Sequence, residues 1–192
     1  MLRAKLGFVK EIKNNFGFLV NEFDYTITYV DDYYVEYKSK ITYVEIYHDR
    51  ISYEMSIVFG LNINTIVNFR ATIMDILEAK NVDVTNKLFQ ASSKSSLKIV
   101  IENLAYLVKT YAKEFLLGDI DSFKNVQSYV NNKLDKLTKQ DNLLTVEKMA
   151  NIAWENKEYE RLINLYSGIL IDLNEIQKRR FAYANSKVRS RL

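Results

Sequence analysis

Strand-like alternation confined to residues 18–60, followed by helical periodicity from residue 72 onward, predicts an α+β fold: an N-terminal helix and antiparallel sheet, then a C-terminal helical array. The 192-residue chain, 48% hydrophobic and 27% charged, has the composition of a packed globular protein. Residues 1–80 are expected to form the helix and β-meander. Residues 81–192 are expected to form a helical region packed on the sheet, the two also being compatible with one continuous domain.

Leu2, Leu6, Val9, Ile12 and Phe16 recur at steps of three and four, the stripe of an amphipathic helix, and Gly17 is placed to end it in a left-handed conformation. The period then changes to two. Tyr25, Ile27 and Tyr29 alternate with Thr26, Thr28 and Val30, and Val35 and Tyr37 with Tyr34, Glu36 and Lys38. Ile41, Tyr43, Glu45 and Tyr47 alternate with Thr42, Val44, Ile46 and His48, before a last run of Tyr53, Met55, Ile57 and Phe59. Breaks at Asp31-Asp32, Lys38-Ser39-Lys40 and His48-Asp49-Arg50 divide this into about four antiparallel strands.

Thr72–Lys80 reads as a short helix on Ile73, Ile76 and Leu77, followed by a polar loop from Asn81 to Ser95. A long helix follows on Leu97, Val100, Ile101, Leu104, Leu107, Val108, Tyr111, Phe115 and Leu116, ending at Gly118. Asp119 or Asp121 caps the next, with a stripe of Phe123, Val126, Val130, Leu134 and Leu137. Thr145 opens another, a turn falls near Asn156, Tyr159–Leu170 is helical, and Asp172 to Glu175 spells a capping box for the last helix.

Composition excludes several chemistries. With no cysteine there is no disulfide, thiolate nucleophile or cysteine-ligated zinc, and a single histidine, His48, rules out paired-histidine metal motifs. Proline is absent and the five glycines form no phosphate-cradling loop, so no cofactor and no enzymatic activity are expected. No apolar run reaches the roughly 20 residues of a bilayer helix. The charged N-terminus lacks the apolar core of a secretory signal, so a cytoplasmic location without membrane contact is expected.

Charge is uneven. Residues 177–192 hold Lys178, Arg179, Arg180, Lys187, Arg189 and Arg191 and no acid; removing these six from the whole-chain net of +3 leaves −3 on residues 1–176.

The segment from Met149, MANIAWENKEYERLINLYSGILIDLNEIQKRR, resembles a tetratricopeptide-type helix pair, with Ala150 and Ala153 allowing close approach and Tyr159, Leu162 and Tyr166 filling the contact. Leu162 and Ile169 stand where that pattern prefers alanine, and its terminating proline is missing. Over nearly its whole length the chain also resembles small bacterial proteins encoded beside polymorphic or contact-dependent toxins. The features that carry this are FGFLVNEFDY from Phe16, YVEY from Tyr34, DRISYEMSIVFG from Asp49, FQASSKSSLKIVIENLAYLVKTYAKEFLLGDIDSF from Phe89, and AWENKEYERLINLYSGILIDLNEIQKRRFAYA from Ala153. The resemblance implies an immunity role, binding and neutralising a cognate protein toxin by occlusion; it transfers no catalytic residue.

Seven of the fourteen tyrosines fall within residues 24–50. Tyrosine suits a half-buried pleated surface, and it also suits an interface, where it offers large contact area at low entropic cost. Tyr29, Asp31, Asp32, Tyr33, Tyr34 and Tyr37 form the candidate partner-binding surface, an acidic aromatic tip; the plain alternative is a polar turn. His48 would be the base of any hydrolytic site, and one hairpin register would set Glu45 opposite Glu54 as a carboxylate pair. The basic C-terminal cluster offers nucleic acid as the alternative partner, although cations also suit the end of a final helix. No nucleic-acid-binding motif accompanies it. Trp154 is either core between two helices or a pocket aromatic.

Overall fold

The computed structural model describes residues 6–62, 69–84 and 89–190. Leu2, residues 85–88 of the expected loop and Arg191 lie outside them. The chain divides into two compact units, Met1–Asn131 and Asn132–Leu192.

In the first unit, α1 (Phe8–Asn15) buries Phe8 and Ile12, and Gly7 before it adopts φ 77°. Gly17 does not end this helix. It is the first residue of α2 (Gly17–Phe23), which carries Phe18 and Leu19 into the core and removes residues 18–23 from the expected strands. The left-handed residue is instead Asp24, φ 56°, a residue type that tolerates that region, whose N–H closes α2 on the Leu19 carbonyl.

Five antiparallel strands follow in sequence order: β1 (Thr26–Asp31), β2 (Tyr34–Lys38), β3 (Thr42–His48), β4 (Met55–Leu61) and β5 (Arg70–Thr72). β5, one strand more than expected, is too short at three residues to show an alternation. The period-two pattern sorts the faces. Val35 and Tyr37, then Thr42, Val44, Ile46 and His48, then Met55, Ile57 and Phe59 point into the core. β3 and β4 pair with Glu45 against Val58 and His48 against Met55. The Glu45–Glu54 pairing is thereby corrected: Glu54 lies in the connecting loop, bridged to Gln90, because the turn is six residues long rather than four.

The helical layer on this sheet begins with α3 (Ile73–Ala79), where Thr72 and Asp75 form a capping box. In α4 (Lys94–Tyr111), capped by Ser93, the expected stripe from Leu97 to Val108 is buried. The helix does not run to Gly118. It breaks at Ala112 (φ −116°, ψ 16°), and a single turn, α5 (Lys113–Leu116), redirects Phe115 and Leu116 onto β3 and β4. Phe115 then meets Phe59 at 6.2 Å and Phe123 at 5.0 Å between ring centroids. Burial of each such ring contributes about 1.5–3 kcal/mol.

One polar knot lies inside. The Tyr25 hydroxyl, 2.5 Å from Thr42 Oγ1, donates to the Leu116 carbonyl at 3.1 Å, and Ser39 Oγ lies 2.8 Å from Thr42 Oγ1. This joins the entry to β1, the start of β3 and the end of α5. Gly118 turns the chain beside it at φ 75°, with Thr42 Cγ2 only 3.1 Å from where a Cβ would stand.

Asp119 caps α6 (Ile120–Glu155) by accepting from the Asp121 N–H at 3.3 Å, and it also accepts from Ser122 Oγ at 2.6 Å. α6 is one helix of 36 residues. Thr145 therefore opens nothing; no glycine or proline occurs between Gly118 and Gly168 to stop the helix before it. Phe123 and Val126 are buried in the first unit, but Leu134 and Leu137 are exposed, so the expected stripe ends at Val130.

The second unit has its own core of Ala150, Ala153, Leu162, Tyr166, Leu173 and Ala184, from the end of α6, α7 (Tyr159–Ser167) and α8 (Glu175–Arg189). The last capping box sits two residues beyond its expected place, on Asn174 and Gln177, because buried Leu173 is held extended between a 3-10 turn and α8. Asp172 instead pairs with Lys139 at 2.8 Å. Among the described residues, no helix is long and apolar enough to cross a membrane.

Candidate functional site

The candidate tip lies at the β1–β2 hairpin, and the face of the sheet opposite the core continues it. Asp31 pairs with Tyr34 across the hairpin, leaving Asp32 and Tyr33 as the turn. Asp31 Oδ1 accepts from the Tyr33 N–H at 2.7 Å, so this carboxylate shapes the turn, whereas Asp32 is exposed. The Arg50 guanidinium lies 4.3 Å from the Tyr33 ring centroid, so the tip carries two carboxylates flanked by one cation. Tyr29, 54% exposed, meets Tyr34 edge-on at 5.7 Å.

Register extends the surface across β2 and β3. Tyr34 lies opposite Tyr47, Glu36 opposite Glu45, and Lys38 opposite Tyr43. Two carboxylates do face one another, therefore, but at Glu36 and Glu45, and each has its own cation: Lys38 at 2.9 Å from Glu36 and Arg70 at 2.6 Å from Glu45. Burial alone would raise the Glu36 carboxyl, but hydrogen bonds from Thr28 and Lys38 and the Lys38 charge hold it below its ordinary value. The Tyr34 phenol is pushed well above its ordinary value, first by burial and then by the charge and hydrogen bond of Glu45. Tyr43 lies over Gly60, whose missing Cβ makes room for the ring. The result is a patch of half-exposed phenols and paired ions, able to hydrogen-bond and stack.

Tyr37 is not part of it. The alternation that turns Tyr34 and Glu36 outward turns Tyr37 inward, where it is fully buried with a hydroxyl that has no partner among the described residues, and burial raises its phenol to about 12. Tyr43, Glu45 and Tyr47 take its place on the surface. Their signal was the alternation with Thr42, Val44, Ile46 and His48; Arg70 had no such signal, since only the pairing of β5 brings it there.

His48 is buried in the core, stacked on Phe8 at 6.1 Å and beside Tyr53 at 6.3 Å. Among the described residues, no three histidine, aspartate or glutamate side chains come together as a metal site.

In the second unit, helical spacing splits the basic cluster. Arg179, Arg180 and Lys187 share the stripe of α8 that holds Tyr183, whereas Lys178 pairs with Glu175 at 2.9 Å and, like Arg189, is exposed. Trp154 is half-buried and lines a cleft of about 540 Å³ with Tyr159, Tyr183, Lys157, Arg179 and Arg180. Its ring lies 6.2 Å from Tyr159 and 5.5 Å from Tyr183.

Compared with known proteins, the chain matches no family model, no curated protein and no solved structure.

Proposed function

We propose that the chain is a non-enzymatic binding protein of the immunity type, which neutralises a cognate bacterial toxin in the cytoplasm by covering part of its surface. The observation that carries this reading is the sheet face formed by Tyr29, Tyr34, Tyr43 and Tyr47, continuous with exposed Asp32. Tyrosine enrichment marks protein interfaces, and such rings lose little entropy on binding because their neighbours already restrain them. The carboxylates at the tip favour a basic partner surface, such as the substrate groove of a nuclease.

Occlusion requires affinity rather than catalysis, so every demand falls on shape and charge. The test is capture of the tagged full chain from its native cells after nuclease treatment, followed by co-expression with whatever protein is recovered. A stoichiometric protein partner that is toxic alone and harmless beside this chain is the expected result. Toxicity undiminished by co-expression would remove the immunity reading.

A further inference from the structure

The cleft of the second unit combines flat rings with cations and, among the described residues, has no carboxylate in its lining. Trp154, Tyr159 and Tyr183 stand mutually edge-on, with Tyr159 and Tyr183 5.8 Å apart, so parts of their faces remain open. Arg180 is committed: its guanidinium lies 5.3 Å from the Trp154 ring centre and donates to Asn151 Oδ1 at 2.6 Å, which fixes the indole. Lys157, Arg179 and Lys187 make no ion pair among the described residues, in contrast to Lys178 and Arg161, which pair with Glu175 and Glu158. Lys187 lies 5.3 Å over the Tyr183 ring.

We propose that this cleft binds single-stranded nucleic acid, seating one base against Tyr183 and Trp154 while Lys157, Arg179 and Lys187 neutralise the adjoining phosphates. Rings alone would suit any apolar ligand and cations alone any anion; the two interleaved fit a chain of charged phosphates bearing flat bases. The eight steps from Arg179 to Lys187 rise about 12 Å along α8, longer than one phosphate group, which favours a strand over a free nucleotide. A duplex hides its base faces, so it cannot use the ring platform. The site shares no residue with the tyrosine face of the sheet, and neither proposal depends on the other.

Trp154 is the only tryptophan and reports directly on the cleft. Titrating the full chain with a short oligouridylate is expected to quench its fluorescence, with binding that weakens as salt rises at a slope of about −0.7 per phosphate engaged. Tyr183→Ala should weaken binding about tenfold or more while Tyr183→Phe retains it. Arg179→Ala and Lys187→Ala, at exposed positions that leave the fold intact, should each flatten the salt slope by about 0.7. Absence of binding at low salt overturns the proposal, as does an unchanged affinity in Tyr183→Ala. Equal affinity for a duplex of the same length, for ATP alone, or for polyglutamate would also overturn it, and the last would assign the cleft to acidic peptides.

Discussion

Two buried tyrosines make opposite contributions. The Tyr25 hydroxyl bonds the Thr42 hydroxyl and the Leu116 carbonyl, so Tyr25→Phe leaves these buried groups short of a hydrogen-bond partner and should destabilise by about 1–3 kcal/mol. The Tyr37 hydroxyl has no partner among the described residues, so Tyr37→Phe removes an uncompensated polar group and should be neutral or stabilising. Thermal unfolding of the two variants beside the parent decides this; equal destabilisation by both would contradict the assignment. The phenols also set a pH limit. Tyr25, Tyr34, Tyr37 and Tyr43 all have folded-state values above the ordinary 10.0. Their contribution is complete below pH 10 and is lost as pH rises from there toward the folded values. A titration of tyrosinate absorbance should show these four ionising late and together with unfolding.

At the scale of elements, legibility followed the physical origin of each signal. β2, β3, α3 and α4 were readable because one buried face imposes a period on the sequence, as Val35/Tyr37 and Leu97 to Val108 show. α2 was hidden, since seven residues rich in aromatics carry no distinguishing period. The break at Ala112 was hidden because the apolar stripe continues through it, and only the three-dimensional fit of Phe115 to Phe59 demands the turn. Thr145 imitated a cap in a largely exposed stretch of α6. The continuity of α6 through Thr145 is testable. Glu147→Pro would be tolerated in the first turn of a helix opening at Thr145; inside a continuous α6 it should cost about 3 kcal/mol, lowering helical circular dichroism and the melting temperature.

For the whole molecule, the α+β class and the order of its elements along the chain were readable from where period two gives way to period 3.6. The candidate surfaces were only half readable. The tip from Tyr29 to Tyr34 is local in sequence and could be named from it, but the face that extends it depends on register, which brings Tyr43, Glu45 and Tyr47 beside Tyr34 and Glu36 and recruits Arg70 from a strand the pattern did not reveal. Likewise, the basic cluster was visible as charge. Its division by α8, and the meeting of Arg179 and Arg180 with Trp154, required the folded unit.

Binding of a protein partner by the tyrosine face is tested by comparing the affinity of the captured partner for the parent chain, for Tyr29→Ala with Asp32→Lys, and for Arg179→Ala with Lys187→Ala. Both pairs lie at exposed positions. The first pair should weaken binding by about tenfold or more with the melting temperature preserved, and the second should leave it unchanged. An affinity indifferent to Tyr29 and Asp32 would rule out this face as the contact.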